Sequence, residues 1–178
     1  PGLTRGIDRA DEAAYHRALC LQELGRAKES AAVLRELVRV YPQSDAGPDA
    51  WLLLGEYYFD VARDPYKAMM AYKKARRDDA DPKWGFVTYK YGWALLNLGE
   101  YDQAIGAMKG VVLWSKDRQG DGEIALLEEA ERDLLRFFVE AGRLDEAERR
   151  KLRDELWDPD AFLAAQREKN EKLAKLMR

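Results

Sequence analysis

A glycine followed five residues later by a small residue recurs along this chain. It occurs in Leu24-Gly25-Arg26-Ala27-Lys28-Glu29-Ser30, in Leu98-Gly99-Glu100-Tyr101-Asp102-Gln103-Ala104 and in Ala141-Gly142-Arg143-Leu144-Asp145-Glu146-Ala147. A fourth copy, Ala62-Arg63-Asp64-Pro65-Tyr66-Lys67-Ala68, has Asp-Pro where the others have the glycine turn, with the spacing shifted by one residue. A glycine can take the left-handed conformation that stops a helix. The small residue after it lets the returning helix lie close to the first. A second small residue on the first helix (Ala18, Gly55, Gly92) has the same purpose from the other side. The pattern predicts helical hairpins, each unable to bury its apolar face until the next one stacks on it.

Composition agrees with an all-helical chain. Ala, Leu, Glu, Arg and Lys dominate, and threonine occurs only at Thr4 and Thr88. The 178 residues are 47% hydrophobic and 35% charged, enough apolar content for a packed core. No apolar run is long enough to span a bilayer, so no membrane insertion is expected. The net charge of −3 carries no basic excess, which argues against nucleic acid and anionic membrane as partners. The single cysteine excludes an internal disulfide, and the single histidine excludes any site that needs two. Pro1 at the start suits a piece excised from a longer protein, so the absence of a targeting segment is not informative.

Trp51-x-x-Leu54-Gly55-x-x-Tyr58, followed by the small residue and the turn, resembles the tetratricopeptide repeat (TPR) family; Pro42 and Pro159 match its closing proline. The resemblance covers most of the chain, with repeats over 11–44, 49–82, 85–118 and 128–161. It implies an all-α, right-handed superhelical solenoid of about four helix-turn-helix hairpins in a single domain over 1–178, with a capping helix over 159–178. Lys151 and Asp154 at apolar positions make the fourth copy degenerate, and Lys116 replaces the closing proline of the third. Tyr41-Pro42-x-Ser44 before Asp49-Ala50-Trp51 is similar to hairpins of bacterial cell-envelope proteins. Trp84-Gly85-Phe86 with Lys90-Tyr91-Gly92-Trp93 looks like long repeat proteins of gliding and envelope systems, which favours a periplasmic or envelope location over the cytoplasm.

No enzyme is expected. Gly-rich phosphate loops, zinc spacings and dinucleotide fingerprints are all missing. His16 and Cys20, four apart, share one helix face, but Cys20 is expected as a buried core residue and His16 as a partly exposed one. Asp117, Gln119, Asp121, Glu123 and Glu128, with Gly122 and Ile124, fall on the spacing of a twelve-residue EF-hand loop, which offers calcium as an alternative to a plain inter-hairpin connection. No other cofactor is expected.

Five tryptophans and nine tyrosines are many for this length. Trp51, Tyr58, Tyr72 and Tyr101 are expected inside hairpins, and Trp114 and Trp157 between repeats. The resemblance implies a concave face lined by the first helix of each repeat. On this chain those positions are Glu12, Tyr15, Leu19, Gln22 and Glu23; Asp49, Leu52, Glu56, Phe59 and Asp60; Phe86, Tyr89, Trp93, Leu96 and Asn97; and Glu129, Arg132, Arg136, Val139 and Glu140. The expected function is a scaffold that holds a partner protein or peptide there, with Leu52, Phe59, Phe86, Tyr89, Trp93 and Leu96 as its apolar middle. Tyr15, Leu19, Leu52 and Glu56 replace the Lys and Asn with which some repeats of this family grip a C-terminal carboxylate. Two alternatives stand beside it: a spacer in a longer array that self-associates through its ends, and a calcium-responsive domain.

Overall fold

The computed structural model describes residues 9–118 and 121–142, without the side chains of 121–125. Every regular element in it is helical: α1 (Ala10–Glu23), α2 (Ala27–Val40), α3 (Gly47–Glu56), a π-helical turn (Tyr57–Val61), α4 (Pro65–Ala75), α5 (Trp84–Asn97), α6 (Tyr101–Lys116) and α7 (Asp121–Glu140). α1 pairs with α2, α3 with α4 and α5 with α6. Each pair stacks on the next through α2·α3, α4·α5 and α6·α7. The residues expected to form the second helix of the fourth repeat, with Ala147, Trp157 and the 159–178 segment, lie outside the described residues, as does Gln119.

The hairpin turns follow the glycine logic. Gly25 and Gly99 have φ of 71° and 76°, and Gly142 has 65°. The Arg26 amide donates to the Leu21 carbonyl and the Gly25 amide to that of Gln22. Glu100 and Gly99 repeat this pair on Leu95 and Leu96. These bonds satisfy carbonyls that a helix end would otherwise leave open.

The second hairpin differs from its expected form. Arg63, with φ of 54°, takes the left-handed place, five residues before Ala68 as in the other copies. The additional residue lies upstream, in the π turn, where the Asp64 amide donates to the Tyr58 carbonyl and that of Ala62 to Tyr57. A π turn accommodates one inserted residue without ending the helix. Asp64 then caps α4, its carboxylate accepting from the Lys67 amide at 3.0 Å, with Pro65 first in the helix. A left-handed arginine is strained where glycine is not. Arg63→Gly is therefore expected to raise stability by about 0.5–1 kcal/mol, read as a higher melting temperature by circular dichroism.

The small residues serve three different contacts. Ser30 Oγ donates to the Ala18 carbonyl at 2.8 Å, tying α2 to α1. Gly55 faces the ring of Tyr72, and a Cβ there would sit 2.4 Å from it. Gly92 faces the Ala104 backbone and Phe137, all at 3.6 Å from a Cβ, so this position has room for alanine. The buried core runs through the stack from Leu34, Leu37 and Leu54 in the first two hairpins to Met108, Val111, Leu134 and Phe137 at α6 and α7.

Three expectations are corrected. Cys20 is exposed, together with His16. The core positions of α1 are Ala18 and Leu21, and Cys20 is two residues, roughly 200° of helix, from Ala18. Tyr101 is exposed because it is the first residue of α6, before the helix enters the packed layer. α7 begins at Asp121, so only 117–120 separate it from α6 and no twelve-residue loop spans 117–128. Asp121, Glu123 and Glu128 stand on that helix, whereas an EF-hand ligand set needs a turning backbone through its first seven positions.

Candidate binding face

The first helices of successive hairpins are joined along one face by their side chains. Between α3 and α5, Lys83 Nζ meets Asp49 at 2.7 and 2.8 Å, and Lys90 Nζ lies 2.9 Å from Glu56 Oε1. Between α5 and α7, the Tyr89 hydroxyl donates to Asp133 at 2.5 Å, and the Arg136 guanidinium lies 4.9 Å from the Trp93 ring centre. At the α1 end, the charges of Asp49 and Lys83 both act on the Tyr15 phenol. These contacts place α1, α3, α5 and α7 side by side on one face, with α2, α4 and α6 behind.

The expected face residues divide by burial. Phe86 is 42% exposed, with Lys90 5.3 Å above its ring. Asn97 is exposed and donates to the Trp93 carbonyl at 2.9 Å. Tyr15, Leu19, Leu52, Glu56, Phe59 and Trp93 are half-buried. Tyr89 and Leu96 are buried and belong to the core between α5, α6 and α7. Their expected place in an open apolar middle is corrected: α7 packs over them. Trp93 is shared, since its inner edge meets Phe137 at 5.0 Å between ring centres. In α7, Val139 is half-buried, while Glu129, Arg132, Arg136 and Glu140 line its outer side.

Sequence reasoning missed Lys83, Lys90 and Asp133. They sit beside the face positions, and each was matched to its partner only by the stacking of neighbouring repeats. Lys83 and Asp49 also close one side of a small cleft lined by Pro48, Leu52, Ala75 and Val87. Burial holds the Tyr15 phenol above its ordinary range, with Asp49 adding to the effect and Lys83 opposing it. Burial first, then the bond to Asp133, raises the Tyr89 phenol further. Both stay neutral near pH 7, so Tyr89 keeps the proton it donates. Tyr89→Phe removes a partly buried, charge-assisted bond and should cost about 1.5–3 kcal/mol in urea unfolding.

Residues 12–44 and 87–112 match the family model of the tetratricopeptide repeat. These two stretches are TPR repeats. The matched stretches are the first and third copies, whose hairpins have the regular spacing; the second, with its π turn, lies outside the match. Two crystal structures of kinesin light chain nearly identical TPR-like repeats from Podosopora anserina are similar in fold. One gives a TM-score of 0.63 at 13% identity over 82% of this chain and 72% of the other. The second, a single-substitution form, gives 0.59 at 13% identity over 74% and 66%. This chain therefore spans about two thirds to three quarters of the lengths of those chains. No curated protein sequence matches it. TPR repeats are in general protein–protein interaction modules. Among the described residues, no helix is long and apolar enough to cross a membrane, and no group of three or more His, Cys, Asp or Glu side chains could hold a metal ion.

Proposed function

We propose that this chain is a non-catalytic binding module that holds a segment of a partner protein against the face formed by α1, α3, α5 and α7. The observation that carries this reading is the row of accessible apolar side chains on that face. Leu19, Leu52, Phe59, Phe86 and Trp93 remain half-buried or exposed there, although Leu52 and Phe59 also pack on α4 and α5, and Phe137 and Arg136 of α7 meet Trp93. Aromatic anchors within a polar rim are where interfaces concentrate binding energy. A periplasmic or envelope location is proposed with it, on the motifs around Tyr41–Trp51 and Trp84–Trp93 alone.

The spacer alternative needs apolar ends for stacking. α1 instead turns Ala13, His16, Arg17 and Cys20 outward, which gives that reading no support.

Selection of displayed peptides against the intact chain tests the proposal. Phe86→Ala is expected to weaken a selected peptide by about 10-fold or more, as for a central aromatic anchor. Leu113→Ala, which removes an exposed side chain from α6 on the other layer, should leave binding unchanged. Equal binding by Phe86→Ala and the parent would remove the face as the site.

A further inference from the structure

The bound segment on this face has a chemistry that its charges select. At the face positions, α1, α3 and the π turn contribute Glu12, Glu23, Asp49, Glu56 and Asp60, and no lysine or arginine. Arg17 of α1 turns the other way, acting on Glu29 of α2. Most cations of the face are already engaged. Lys83 is held by Asp49 at 2.7 Å, Lys90 by Glu56 at 2.9 Å and Arg136 by Glu140 at 2.7 Å. Glu23 and Asp60, by contrast, have no ion pair among the described residues. Apart from Arg132 on α7, an acidic segment would have to displace these internal pairs, and it would meet the carboxylates of α1, α3 and the π turn as like charges. A basic segment breaks nothing and meets free carboxylates.

Leu19 and Leu52 lie on α1 and α3, and the phenylalanine and tryptophan rings lie beyond them. Phe86 and Trp93 are on α5, and Phe59 is in the π turn that follows α3. Resting on the reading above, we infer that the occupant is a partner segment in which an aromatic or aliphatic anchor sits beside lysine or arginine side chains. The anchor meets Phe59, Phe86 and Trp93, and the cations lie against Glu23 of α1 and against Asp60, next to Phe59 in the π turn. Such charges set selectivity and encounter more than total affinity, and they are screened by salt.

The test uses three labelled peptides of about 12 residues with one central Phe-Leu anchor, flanked by Lys/Arg, by Asp/Glu or by Ser/Gly, read by fluorescence anisotropy against the full chain. The Lys/Arg peptide is expected to bind at least ~10-fold tighter than the Asp/Glu peptide at low salt, with the gap closing as salt rises to about 0.5 M. Glu23→Gln with Asp60→Asn should reduce that preference to about threefold or less while the anchor still binds; both side chains are exposed, and circular dichroism checks folding. Equal or tighter binding of the Asp/Glu peptide overturns the inference and leaves the binding face standing. An unchanged preference in the double variant also overturns it. Binding by none of the three, or binding indifferent to Phe86→Ala, overturns both readings. Dimerisation abolished by Phe86→Ala would make the occupant a second copy of this chain and overturn the inference as well.

Discussion

Phe137→Ala is expected to cost about 3–5 kcal/mol, the range for deleting a fully buried aromatic ring. Phe137 is 0% exposed, meets the edge of Trp93 at 5.0 Å and lies in the cluster with Met108, Val111 and Leu134. A stacked array holds each element through its neighbours only, so the loss should be local before it is global. Hydrogen exchange should show α7 losing protection first, with the inner side of α5 and α6 following, while α1 and α2 keep theirs. A loss below about 1 kcal/mol, or uniform deprotection along the chain, would mean that α7 is not seated on α5 and α6 as described.

The second large effect is a contrast between two glycines. Gly→Ala inside a helix ordinarily gains up to about 1 kcal/mol through propensity. At Gly92 the nearest atoms to a Cβ are 3.6 Å away, so Gly92→Ala should show that gain or be neutral. At Gly55 the Cβ would sit 2.4 Å from Tyr72, a ring that is itself fully buried beside Ala68 and Ala94. It cannot swing into solvent, so overpacking outweighs propensity and Gly55→Ala should lose about 1–3 kcal/mol. Urea midpoints of the two variants, measured side by side, decide this. Equal behaviour would show that the second hairpin yields where the geometry says it cannot.

Legibility in the sequence followed how local the cause was. Gly25, Gly99 and Gly142 were readable because a left-handed helix stop is a property of a few consecutive residues. The second hairpin was half readable. Its additional residue was visible in the spacing, but the choice to absorb it in a π turn before Arg63 depends on keeping Tyr72 against Gly55, a contact between two helices. Cys20 was misplaced because α1 has little amphipathic contrast, so its residues alone did not fix which side faces α2. The half-buried or exposed state of Leu19, Leu52, Phe59, Phe86 and Trp93 agrees with their register on the first helices of the hairpins. The burial of Tyr89 and Leu96 was not, since it depends on where α7 lands. The calcium spacing over 117–128 was a pattern of residue types, and α7 takes up its backbone from Asp121 onward.

The sequence by itself determined the helices, their glycine stops and the small residues that let them pair, because each arises within a turn or two of chain. Only the tertiary structure decided which side chains of α5 stay accessible and which face α7, and which charges of the face are spent on one another. Those outcomes depend on distances between helices from different repeats, where Lys90 meets Glu56 and Tyr89 meets Asp133, and residue order within one repeat does not fix them.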